Sequence, residues 1–160
     1  MPRITRAFGI AAAASVALAL VACGGSSESK PAKTDADAKP AASGLFTGAA
    51  TSSASIDMTD LKFSTTALTS KAGDVLEVAL NNKGSIEHDF SIAKLPGDKA
   101  LRVGGKDTEV TKNGNDVHAH LKAGEAGAVR MKAATAGTYE FFCTVPGHKE
   151  AGMKGTLTVQ

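Results

Sequence analysis

Tryptophan is missing from this chain of 160 residues, and there is one tyrosine, Tyr139. Neither sign of charge is in large excess, with a formal net charge of +2. Five basic residues (Arg3, Arg6, Lys30, Lys33, Lys39) and three acidic ones (Glu28, Asp35, Asp37) precede position 51. Of 18 basic and 16 acidic residues in all, equal numbers therefore follow it. No basic stripe interleaved with aromatics exists, which argues against a nucleic-acid partner. There is no serine nucleophile motif and no phosphate loop, and Thr135, Tyr139 and the charged residues form no catalytic constellation. The chain therefore does not read as an enzyme. Cysteine is scarce too, with Cys23 and Cys143 as the only two.

The one long apolar run lies at the start. "MPRITR" supplies two arginines and "AFGIAAAASVALALVA" an alanine-rich apolar stretch, the layout of a secretory signal. It is short for a membrane span of about twenty residues. "LVAC", Leu20 to Cys23, resembles the lipobox of bacterial lipoproteins, which implies a signal peptide over 1–22 and a lipid on Cys23. The expected location is extracytoplasmic, anchored through that lipid to a bacterial membrane, on the periplasmic or cell-surface side. From Gly24 to Gly44 the sequence is Gly, Ser, Ala, Lys, Asp and Pro without a large apolar residue. Such a segment buries too little surface to offset its ordering entropy. It reads as a spacer with a reach of about 25 Å. Leu45 and Phe46 either dock on the domain or end the linker, which is drawn over 23–52.

From about Ser53 the texture changes. "ASIDMTDLKFS" alternates through Ile56, Met58 and Leu61, and "DVLEVALNN" is apolar enough to be buried on both faces. "EHDFSIAKL", "DVHAHLKA", "AGAVRMKAA", "GTYEFFC" and "MKGTLTVQ" follow, separated by clusters of Gly, Pro, Asn and Asp. Short segments at this spacing predict an all-β sandwich or barrel over 53–160. The one stretch with room for a helix is "GDKALRVGGK", kept short by its consecutive glycines.

If Cys23 carries lipid, Cys143 has no disulfide partner although the compartment is oxidising. It ends the apolar strand "YEFFC" and opens the turn-rich "CTVPGHKEAGM". Four residues separate Cys143 from His148, and four more separate His148 from Met153. A thiolate, an imidazole and a thioether on one loop suit copper. Zinc more often recruits four Cys or His ligands, and calcium or magnesium takes oxygen. Two histidines, a cysteine and a weak methionine make the blue-copper set. The second histidine must come from His88, His118 or His120.

The pattern "GSIEHDF … YEFFCTVPGHKEAGMKGTLTV" resembles the cupredoxin family, the plastocyanin–azurin type of small blue copper protein. Its loop spacing is similar to that of auracyanin and rusticyanin. The resemblance implies a Greek-key β-sandwich and one type 1 mononuclear site cycling between Cu(2+) and Cu(+). His88, Cys143 and His148 become the equatorial ligands and Met153 the axial one. It implies that the backbone amides of Asp89 and Val145 donate to the sulfur. The family usually has asparagine or serine at Asp89, which leaves that side chain's bond to the ligand loop open. Glu87 stands where azurins have a glycine that approaches copper, so no fifth ligand is expected. His148 would reach the surface within a rim of Val145, Pro146, Gly147 and Ala151, suited to transient docking of a redox protein. The resemblance implies a monomeric, membrane-tethered one-electron carrier. The alternative is an extracytoplasmic copper chaperone, storage or resistance protein, although Met58 and Met131 fit strand interiors. His118 and His120 lie on one strand face, either as solvated histidines or as a second metal site.

Overall fold

The computed structural model describes residues 42–160. The signal segment, the lipidation position Cys23 and the spacer up to residue 41 lie outside the described residues. A 3-10 turn at Ala42–Phe46 precedes eleven strands. These are β1 (Ser52–Thr59), β2 (Lys62–Phe63), β3 (Ala67–Ser70), β4 (Leu76–Asn82), β5 (His88–Ile92), β6 (Gly97–Val103), β7 (Lys106–Thr108), β8 (Val117–Leu121), β9 (Ala126–Ala133), β10 (Gly137–Phe142) and β11 (Lys154–Val159). They form one sheet in the order β2-β1-β4-β9-β6-β7 and a second in the order β3-β11-β10-β5-β8. The expected all-β sandwich is what forms.

Alternation decides which faces meet. In β1, Ile56 and Met58 are buried, and in β4 so are Leu76, Val78 and Leu80. The intervening Glu77 and Ala79 are half-buried, so β4 has one buried face rather than two. Leu61 departs from the expected series. It falls in the β1–β2 turn at φ 65 and is exposed. "GDKALRVGGK" is likewise not a helix. It becomes β6, a two-residue turn at Gly104 and Gly105, and the start of β7, with Val103 opposite Lys106. Both glycines have positive φ (56 and 78), the backbone such a hairpin turn demands. Pairing of β6 with β9 along its whole length overrides the local helix preference of Ala100 and Leu101.

The sheets meet over Phe63 of β2 and Phe90 and Phe141 of β5 and β10. Phe90 and Phe141 stack at 5.0 Å between centroids, and Phe63 lies 5.5 Å from Phe141. Such pairs add stabilisation beyond their burial. On the outer face of the first sheet, Phe46 lies under two guanidinium groups. Arg102 is 4.2 Å and Arg130 4.9 Å from its ring centroid. Arg130 also donates to the carbonyls of Leu45 and Gly48 and pairs with Glu77. Leu45 and Phe46 thus dock on the domain.

Gly155, opposite Phe141 across β10 and β11, is required by space. A Cβ there would lie 2.2 Å from Phe141 Cζ and 2.6 Å from the Thr66 carbonyl oxygen. Gly155→Ala is expected to cost about 1–3 kcal/mol by overpacking. Thermal melts should show a midpoint several degrees below wild type.

Candidate metal centre

Two loops at one end of the sandwich carry the chemistry. β4 leads through residues 83–87 into β5, which begins at His88. β10 leads through residues 143–153 into β11. The first loop is braced by Asn82, a buried amide whose Nδ2 donates to the carbonyls of Ile86 (2.8 Å) and Leu121 (3.0 Å). Its Oδ1 accepts the Gly84 amide at 2.9 Å. One side chain thereby ties the loop before His88 to the end of β8.

The second loop folds for reasons visible in its residues. In "VPGH", Pro146 suits the second turn position and Gly147, at φ 84, the third. The His148 amide closes this turn onto the Val145 carbonyl at 3.0 Å. Met153 donates its amide to the His148 carbonyl (2.9 Å), and Cys143 donates its own to the Met153 carbonyl (3.0 Å). These bonds return the chain beside its starting point with Cys143, His148 and Met153 all buried.

His88, Cys143 and His148 converge. His88 Nδ1 and His148 Nδ1 are 3.2 Å apart, and Cys143 Sγ is 3.5 Å from His148 Nδ1. The donor atoms of all three lie within 4.8 Å of one another. Their separations match what atoms at about 2.0–2.3 Å from a shared ion would have. A thiol and two imidazoles, buried and facing one another, form a soft donor set that fits copper. Met153 is the thioether of the same loop and is fully buried.

Burial pushes the Cys143 thiol up, opposed by the Asp89 amide, which donates to Sγ at 3.4 Å, and by the nearby Val145 amide. Burial likewise holds His88 below the ordinary imidazole range, helped by neighbouring His148. Both shifts favour the uncharged forms of thiol and imidazole, so a metal ion bound here would displace the thiol proton.

Asp89 resolves a point the sequence leaves open. Its Oδ1 accepts the Thr144 amide (2.9 Å) and its Oδ2 accepts the Thr144 hydroxyl (2.6 Å). A carboxylate therefore makes two bonds to the loop. Glu87 is held on the other side, 3.5 Å from His120. Val145 is half-buried, whereas Pro146, Gly147 and Ala151 are exposed beside His148, which is 6% exposed.

Sequence reasoning missed Asp60 and Gly84. Asp60 Oδ1 lies 3.8 Å from His88 Nε2, a buried nitrogen with no hydrogen-bond partner. Asp60 is fixed there by the Ser85 amide at 3.1 Å. A carboxylate on that side favours the proton on Nε2 and leaves Nδ1 free to ligate. Gly84 keeps the gap open, because a Cβ would stand 2.7 Å from Asp60 Oδ1 and 2.8 Å from His88 Nε2. No local pattern in "TDLK" or "NKGS" signals this meeting of two loops.

Gly84→Ala is therefore expected to displace the His88 ring and weaken copper binding by about 10–100-fold. Competition against a Cu(I) chelator reads the effect. Acid should also weaken the metal-free fold. His88 and His118 are both held below the ordinary imidazole pKa, with burial the leading cause for each. Their contribution is complete above the unfolded-state value of about 6.5 and is lost progressively as pH falls below it through the lowered folded-state values. Melts of the metal-free protein at pH 7.5 and pH 5 should show the lower midpoint in acid.

A family model described as copper binding proteins, plastocyanin/azurin family, matches residues 50–160. Auracyanin-B of Chloroflexus aurantiacus is 58% identical over 41 residues, 26% of this chain and 17% of that protein. The copper-resistant cuproprotein CopI of Rubrivivax gelatinosus is 28% identical over 100 residues, 62% of this chain and 61% of CopI. The matches thus span less than two thirds of either relative's length. The solved structure of auracyanin B superposes with a TM-score of 0.52 at 26% identity, covering 71% of this chain and 91% of that one. With a two-sheet β-sandwich and a family match over the whole of it, the chain belongs to the plastocyanin/azurin family of copper-binding proteins, the cupredoxins.

Proposed function

We propose that His88, Cys143 and His148 hold one type 1 copper ion, with Met153 as its axial ligand, and that the protein carries single electrons between redox partners. The observation that carries this reading is the buried convergence of two Nδ1 atoms and one Sγ at 3.2 and 3.5 Å. Bound copper supplies the one-electron couple between Cu(II) and Cu(I). The chain supplies the rest. Its sandwich fixes the donors from strand ends, so little rearrangement accompanies a change of charge. The Asp89 and Val145 amides favour the thiolate and tune the potential.

Docking of a redox protein is assigned to the end where His148 approaches the surface. Val145, Pro146, Gly147 and Ala151 form its rim, and an open depression beside it is lined by Phe142, Val145, Pro146, Lys149 and Glu150. Leu61 and Ile86, the exposed large hydrophobic side chains among the described residues, sit on the two loops that meet at Asp60 and Ser85. This end suits a small, short-lived contact by a monomer. A lipid on Cys23 would keep the carrier at the extracytoplasmic face of a membrane.

The likeness to CopI favours a second reading, in which the same site stores or delivers copper for resistance. Cu(II) loading of the full chain is expected to give an intense thiolate-to-copper charge-transfer band that Cys143→Ser abolishes. A colourless wild-type complex, or colour that survives in Cys143→Ser, would sink the type 1 assignment. Repeated reduction and oxidation with copper retained supports the carrier. Release of Cu(I) to a chelating acceptor at each reduction supports delivery.

A further inference from the structure

The chain has four histidines, and the centre described above uses two of them. The other two, His118 and His120, occupy alternate positions on β8 and so leave it on one face. Their rings are nearly parallel, at 14°, with centroids 6.4 Å apart. The neighbouring β5 brings Asp89 opposite His120 and Ser91 opposite His118. One donor atom each from Asp89, His118 and His120 lies within 4.8 Å of the others. At the outer end, Glu87 Oε2 stands 3.5 Å from His120 Nε2.

The inner imidazole is already oriented. The Ser91 hydroxyl donates to Asp89 Oδ1 at 2.8 Å, so its oxygen is left to accept from His118 Nδ1 at 2.9 Å. That chain puts the His118 proton on Nδ1 and leaves the Nε2 lone pair free, as for histidines whose second nitrogen is fixed by a neighbour. His118 is 5% exposed, whereas His120 is only half-buried, so the cluster is anchored within and open to solvent at its rim.

The geometry points to a second metal site, formed by His118, His120 and Asp89 with Glu87 at its outer edge, that takes an imidazole-preferring divalent ion of the zinc or Cu(II) class. Two nitrogens and a carboxylate suit such an ion, whereas calcium and magnesium want six or more oxygens. The cluster shares no donor atom with the His88, Cys143 and His148 centre. It stands whether or not that centre is a copper carrier.

The probe is Zn(II) alone, dialysed to equilibrium against the full chain without an affinity tag. Wild type is expected to bind one equivalent more than His120→Ala, whether or not the first centre is loaded with Cu(I). His120 is partly exposed, so its replacement should leave the fold intact, which a thermal melt checks. In wild type, the ring resonances of His118 and His120 should shift together as that equivalent enters. Equal zinc stoichiometry in the two proteins, or a shift of one ring without the other, would overturn the second site. If copper is not retained at the first centre but the one-equivalent difference persists, the carrier reading fails and this site stands.

Discussion

The antiparallel register of β5 and β10 sets everything at the working end of the molecule. Phe141 lies opposite Ile92 and Phe142 opposite Ser91. Carried two residues further, that register sets Cys143 against Phe90 and Thr144 against Asp89. The parity of the strands then sorts the chemistry by face. His88 and Phe90 share the core side with Cys143. Asp89, Ser91 and Thr144 share the outer side with His118 and His120. A slip of one residue would exchange the two sets and turn the thiol outward. The aromatic stack of Phe90 on Phe141 and the close fit of Gly155 beneath Phe141 guard against that slip.

Asp89 stands at the boundary between the two faces and belongs to both. Its amide touches the thiol, and its carboxylate holds Thr144 on the loop and receives the hydroxyl of Ser91. Whatever charge gathers around His118 and His120 is therefore felt one residue from the His88 ring. In a low-dielectric interior, such proximity transmits electrostatic change without any movement of the backbone.

Legibility followed the range of each interaction. The loop from Cys143 to Met153 could be read directly, because Pro146 and Gly147 specify its turn within four residues. The strands announced themselves through alternation and the glycines between them. β6 did not, since Ala100 and Leu101 favour a helix locally and only pairing with β9 makes them extended. Leu61, three residues after Met58 and so out of step with the alternation, falls in a left-handed turn. His88 was one of three candidate histidines until a family resemblance separated them, because nothing in its neighbourhood announces Cys143. Asp60 and Gly84 were invisible for the same reason. Their role exists only where the β1–β2 turn meets the β4–β5 loop, and the close approach that Gly84 permits there has no sequence signature. At Asp89 the residue type alone left the bond to the loop open. A carboxylate serves where an amide is usual, because Thr144 offers it both an N–H and an O–H.

The docking of Phe46 between Arg102 and Arg130 has a mechanical side. Tension arriving through residues before Ala42 is met first by Phe46 and by the Leu45 and Gly48 carbonyls. It then passes into β6 and β9. Neither strand carries a donor residue of either cluster, and both belong to the opposite sheet. A pull on the N-terminal side would thus load one layer of the sandwich, while both side-chain clusters lie on the other.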